Sequence, residues 1–230
     1  MKTKILAALL GLLIFAAGCG GAKNSGSSDG AVKLDSIEEG IEYFSEQLKL
    51  EENYNPFYDQ EGYKSFAAKN GEKTTKAPSN EVIIEGKKSE LGTGYEAFIA
   101  ALDLKYSGEP LDNQFSEGGI EGVSVSLPNQ KADVLAVYCE KGQAVNKGKV
   151  IGFSLSSLTD DGAVAYTLAG LSNGATAAEV VKKLGNPGFV AVGNDSEEVR
   201  AEFQYDFGGR LIIYFDSTLT IDQIILEIEA

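Results

Sequence analysis

Chemistry in a protein begins with side chains that can move a proton, attack an electrophile or hold a metal, and here that set is narrow. The 230 residues contain no histidine. Ser-His and Cys-His nucleophile pairs, H-E-x-x-H zinc sites and imidazole acid–base work are thereby removed together, leaving carboxylate, lysine or tyrosine chemistry. Of the two cysteines, Cys139 falls in an apolar strand pattern, where a thiol packs as a small apolar side chain. The acidic groups at Asp160-Asp161 and at Asp195, Glu197 and Glu198 lack the alternating ligand spacing of a calcium loop and read as solvated turns. Those carboxylates would serve a glycosidase only if two of them faced each other across a cleft at about 5 to 9 Å. Gly92 to Ala97 reads G-x-G-x-x-A after an apolar run, as a dinucleotide turn would. The downstream chain alternates like antiparallel sheet instead of continuing a βαβ unit, so no nucleotide is expected. The chain thus offers no catalytic residue, no metal ligand set and no cofactor site.

The charge balance points the same way about partners. Lys and Arg number 20 against 34 Asp and Glu, a formal net charge of −14. Such a field repels phosphate backbones and anionic headgroups, which excludes nucleic acid as a partner. At this length the chain has room for one large domain or two small ones with real cores.

Lys2 and Lys4 form a basic start, and Ile5 to Ala17 is an apolar run too short to cross a bilayer of about 30 Å as a helix. It reads as a signal peptide over residues 1–18. The ending Ala16-Ala17-Gly18-Cys19 resembles the lipobox of bacterial lipoprotein signal peptides, although leucine is commoner in that family where Ala16 stands. The resemblance implies that Cys19 is acylated and becomes the first residue of the mature chain, which also leaves Cys139 without a disulfide partner. Two or three acyl chains, at about 0.8 kcal/mol per buried methylene, hold a protein on a membrane stably. Residues 19–34 are rich in Gly, Ser and Asn and read as a flexible tether. The expected address is the extracytoplasmic side of the cell membrane or outer membrane.

The body is organised around Gly170 to Gly188. Thr176 and Glu179 form a T-x-x-E capping box, Val180, Val181 and Leu184 supply a buried stripe, Gly185 ends the helix and Pro187 prevents its return. A weaker copy stands earlier, after the strand Val82-Ile83-Ile84. Gly92, Phe98, Ile99 and Leu102 fall on Gly174, Val180, Val181 and Leu184 at a shift of about 82, whereas Thr93 with Glu96 matches Thr176 with Glu179 at about 83. After each copy come alternating runs: Val123 to Leu127, Val134 to Cys139 and Val150 to Leu155 in the first, then Val199 to Tyr205, a Gly208-Gly209 hairpin, Leu211 to Phe215 and Ile221 to Ile228 in the second. Upstream, Ile37, Ile41, Phe44 and Leu48 mark a helix, followed by an irregular stretch holding Tyr54, Phe57, Tyr58, Tyr63 and Phe66. Those aromatics read as the cover of a small helical subdomain in preference to a stacking platform.

The expected fold is therefore α+β: an N-terminal helical and aromatic segment over residues 35–80, and two tandem repeats over 81–160 and 161–230, each a short helix packed on about three antiparallel strands. The glycine turn, the T-x-x-E-V run Thr176 to Val180 and Leu184-Gly185-Asn186-Pro187 resemble the SmpA/OmlA-type small lipoproteins and, more distantly, the tandem-repeat beta-lactamase inhibitor protein. That resemblance implies a non-enzymatic binding or assembly module whose partner is an envelope or secreted protein. The alternatives are a carboxylate-based envelope enzyme and an inhibitor of a secreted hydrolase. Within the second repeat, if Val199, Ala201, Phe203 and Tyr205 face the helix, the opposite face carries Arg200, Glu202 and Gln204 beside Ile212, Tyr214 and Ile225. Three apolar groups rimmed by charge make this the candidate surface for docking the other repeat or a partner.

Overall fold

The computed structural model describes residues 32–48, 50–52, 63–68, 77–106, 118–126, 133–156, 165–195 and 198–230. Cys19, Tyr54, Phe57, Tyr58, Asp160, Asp161 and Glu197 lie outside them. The described chain is mixed α and β, mostly antiparallel sheet with three α-helices: α1 Ile37–Leu48, α2 Tyr95–Leu102 and α3 Ala177–Leu184.

The strands run β1 Leu50–Glu52, β2 Tyr63–Ala68, β3 Ser79–Ile84, β4 Lys87–Glu90, β5 Lys105–Tyr106, β6 Gly119–Ser126, β7 Asp133–Cys139, β8 Lys149–Ser156, β9 Tyr166–Ala169, β10 Leu171–Ser172, β11 Phe189–Asp195, β12 Glu198–Asp206, β13 Arg210–Phe215 and β14 Ile221–Glu227. They form two sheets. The larger has the order β1-β2-β11-β12-β13-β14-β8-β7-β6-β5, and the smaller β10-β9-β3-β4. Eight strands, β11 to β14 and β8 back to β5, make the body of the large sheet, and β1 and β2 extend it at one edge.

Two differences from the sequence expectation stand out. Tyr63 and Phe66, read as part of an irregular stretch, lie in a strand, β2, that pairs with β11. The small sheet is the second difference; it consists of two tight hairpins, β3-β4 and β9-β10, laid side by side. Their turns, Glu85-Gly86 and Ala169-Gly170, have positive φ at both central positions, the conformation that matches strand twist. Strand periodicity hides them because β4 is polar throughout and β10 is two residues long.

Both short helices hang on the large sheet by the same backbone bonds. Tyr95 N–H donates to the Gly148 carbonyl and Val150 N–H to Thr93, each at 2.9 Å; Ala177 N–H donates to Leu219 and Ile221 N–H to Ala175, each also at 2.9 Å. These pairs relate Tyr95 to Ala177 by 82 residues and Gly148 to Leu219 by 71. The helix starts differ in chemistry. Thr176 caps α3 through the expected box, its hydroxyl accepting from Glu179 N–H and its own N–H donating to the Glu179 carboxylate at 2.8 Å. At α2 the cap is Gly94, with no side-chain bond, so Thr93 and Glu96 do not form the box that the shift of about 83 predicted. Glu96 pairs with Lys147 at 2.7 Å instead.

The core lies between the large sheet and everything else described. Phe44 of α1 meets Phe203 edge-on at 5.3 Å between centroids, Phe98 of α2 meets Phe153 at 5.8 Å, and Tyr205 Oη donates to the carbonyl of Gly185 at the end of α3 at 3.1 Å. The register places Phe153, Leu226, Leu211 and Tyr205 in one row and Leu155, Ile224, Ile213 and Phe203 in the next, all buried. One face of the sheet therefore receives all three helices.

Candidate functional site

The other face is built by the intervening residues, because side chains alternate across a strand. Register carries one row from Ala191 through Glu202, Tyr214 and Gln223 to Ser156, and the next from Phe189 through Gln204, Ile212 and Ile225 to Ser154. Arg200, Glu202, Gln204, Ile212, Tyr214 and Ile225 are thus brought together on one surface, and no described helix or strand packs over it. The second half of the chain meets the first edge to edge, β14 against β8, with Gln223 Nε2 donating to Ser154 Oγ across the join at 2.8 Å.

Burial changes the chemical character expected of the surface. Ile212 is only 7 % exposed, and Glu202 equally so. Gln204 Nε2 donates to Glu202 Oε1. Between Tyr214 and Phe215 the register with β14 slips, since Tyr214 pairs with Gln223 but Phe215 with Ile221, leaving Asp222 as the extra residue. Asp222 is buried and its carboxylate accepts from Arg200 Nη1 at 2.9 Å. The same slip recurs where Ala136 pairs with Gly152 and Val137 with Val150, leaving Ile151 as the extra residue. The two buried carboxylates of the molecule's described part are thus both committed to hydrogen bonds on this face.

The face is stepped. Over β12 to β14 it carries Arg200, Gln204, Tyr214 and Ile225; over β8, β7 and β6 a row of Gly152, Ala136 and Gly122 leaves it low. At the far side of the step Tyr138 pairs in register with Ile120, which at 60 % is the exposed large apolar residue among those described. Sequence reasoning missed Ile120 and Tyr138, although the inward set Val137 and Cys139 already assigns Tyr138 to this face by alternation.

The other sequence candidates are structural. Cys139 is buried with its Sγ near the Val137 carbonyl at 4.0 Å, and burial, helped by Glu121, pushes its thiol up, away from the thiolate that reacts. Asp195 and Glu198 sit opposite each other at the β11-β12 turn. Among the described residues no group of three or more Cys, Asp or Glu is placed to hold a metal ion. Gly92 to Ala97 leads from the small sheet into α2, with Gly92 N–H donating to the Val150 carbonyl at 2.7 Å and the Thr93 carbonyl accepting from Val150 N–H at 2.9 Å. No helix among the described residues is long and apolar enough to cross a membrane. Comparison of the chain with family models, with curated proteins and with solved structures finds no match.

Proposed function

We propose that this protein is a lipid-anchored, extracytoplasmic binding module, non-enzymatic, whose two tandem repeats join into one sheet and offer its uncovered face to a protein of the envelope. The observation that carries the reading is that face: a wide antiparallel surface with the described helices on the other side, holding Tyr214 and Ile225 beside the hydrogen-bonded Glu202, Gln204 and Asp222, and Tyr138 with Ile120 farther along on β7 and β6. Aromatic and aliphatic groups set among satisfied polar ones suit protein recognition. The committed state of Glu202 and Asp222 favours binding over acid–base work, since neither carboxylate is left to move a proton. The repeat reading is supported by the matched helix-to-sheet bonds, the matched register slips at Ile151 and Asp222, and the strand order, in which β11 to β14 mirrors β5 to β8. The lipid anchor on Cys19 rests on the lipobox alone.

The test is in-cell crosslinking followed by pull-down of the protein from its native envelope. Because Ile212 is buried whereas Tyr214 and Ile225 are partly exposed, the variant that spares the fold is Tyr214→Ala with Ile225→Glu, checked by an unchanged melting temperature. Loss of the crosslinked partner is the expected outcome; a partner retained at full yield rejects the face. Cys19→Ser should move the protein from the membrane pellet to the soluble fraction, and palmitate still incorporated in that variant rejects the anchor.

A further inference from the structure

Helices α2 and α3 each border a groove at their C-terminal turn, and the two grooves are filled differently. Beside α3 lies the chain's own segment Val32–Leu48. Leu34 N–H donates to the Ser217 carbonyl at 2.7 Å, Asn186 Nδ2 reaches the Leu48 carbonyl at 3.4 Å, and Leu34 and Phe44 are buried at 3 % and 1 %. Under the shifts fixed by the helix-to-sheet bonds, 82 for the helix and 71 for the following loop, Asn186 corresponds to Leu104 and Ser217 to Asn146. Both counterparts line a cavity of about 410 Å³ beside α2, together with Tyr95, Ile99, Ala100 and Tyr106.

The cavity is lined mainly by the apolar parts of Tyr95, Ile99, Ala100 and Leu104, with Glu96 and Asp103 at its rim. Tyr95 Oη and Asn146 Oδ1 are buried without a hydrogen bond, and Tyr95 is only 6 % exposed. At the rim Glu96 and Asp103 are each paired with a lysine at 2.7 Å, Lys147 and Lys87, so local charge sets no strong preference. The net charge of −14 does, disfavouring an acidic occupant.

We infer that the groove beside α2 seats an amphipathic segment of a partner protein in the way the groove beside α3 seats Val32–Leu48. An apolar residue enters against Ile99 and Leu104, and a helix with a neutral or basic polar face follows. The inference rests on the tandem-repeat reading and adds a second contact surface, separate from the open sheet face.

The probe is a fluorescent synthetic peptide with the sequence Val32–Leu48 in which Glu38, Glu39, Glu42 and Glu46 are replaced by lysine, titrated into the full chain and followed by anisotropy. Saturable binding is expected, weakened at least tenfold by Ile99→Glu, whose side chain is only partly buried. Where that variant melts early, Ala100→Arg blocks the same cavity from an exposed position. Absence of saturation at millimolar peptide overturns the inference. So does binding unaffected by Ile99→Glu and Ala100→Arg, which would mean the peptide displaces the chain's own segment or sits elsewhere. Binding lost only in the Tyr214→Ala, Ile225→Glu variant would remove the groove and leave the sheet face standing.

Discussion

Helices α2 and α3 have the same length, eight residues, and the same tether to the sheet, yet they are held by different side chains. α3 carries a capping box at its start and Gly185 at its end; α2 starts at an uncapped Gly94 and ends on Asp103 in the left-handed region, φ 56, its carboxylate bound by Lys87. Around α3 the groove is packed by α1, and around α2 it is a cavity. The backbone bonds between helix start and strand start thus specify this unit, whereas caps and groove fillings are local solutions layered on it. A helix of two turns is too short to be stable alone, so the sheet must supply its order.

The largest expected difference between the halves lies in the core. Phe203→Ala should cost about 3–5 kcal/mol, because the ring is fully buried between Phe44 and Phe215. Val123, its counterpart by register, has no α1 over it, and Val123→Ala should cost about 1–3 kcal/mol. Equal losses in urea denaturation would break the claim that α1 supports only the second half.

Next come the glycines that turn each hairpin into its helix. Gly174 has φ 80 and open space where a Cβ would stand, so Gly174→Ala should cost about 1–2 kcal/mol through backbone conformation alone. Gly92, its counterpart at a shift of 82, has φ 95 and shares that penalty; Gly94, which stands where Thr176 does, has φ −60 and does not, so Gly94→Ser should gain a few tenths, about 0.3 kcal/mol, by giving α2 the cap it lacks. A denaturation midpoint unmoved by Gly174→Ala would show the left-handed turn to be incidental.

The caps separate the helices further. Thr176→Ala should lose about 1 kcal/mol, and Thr93→Ala should stay within about 0.5 kcal/mol, since only Thr176 bonds the first turn. Matching losses would restore the box at α2 and the shift of 83 predicted from sequence. The smallest effect concerns acid. Lys87, by hydrogen bond and then by charge, holds the exposed Asp103 carboxyl below its ordinary value. A depressed carboxyl stabilises the fold at pH above its unfolded value and loses that contribution as pH falls through the folded one. Lys87→Gln should therefore flatten the acid limb of stability slightly below pH about 4 and leave neutral pH nearly unchanged.

Much of this fold is written in local sequence. The period-2 alternation in Val199 to Tyr205 and Leu211 to Phe215 set which side chains are buried, and a two-glycine turn set their pairing, because a slip of one residue would put every apolar group in water. The T-x-x-E run and the glycine after Leu184 set both ends of α3 through purely local bonds. The absence of histidine limited the chemistry before any fold was known. Tertiary structure decided what depends on partners distant along the chain. Glu85-Gly86 and Ala169-Gly170 became hairpin turns because β3 and β9 lie together although far apart in the chain, and polar β4 has no pattern of its own to announce it. Gly94 displaced Thr93 as the helix start because Thr93 spends its carbonyl on Val150. The halves joined edge to edge, which extends backbone hydrogen bonding across β14 and β8 and leaves the three described helices on one face. The burial of Ile212 was likewise a tertiary outcome, since alternation along its own strand places it on the face opposite the core.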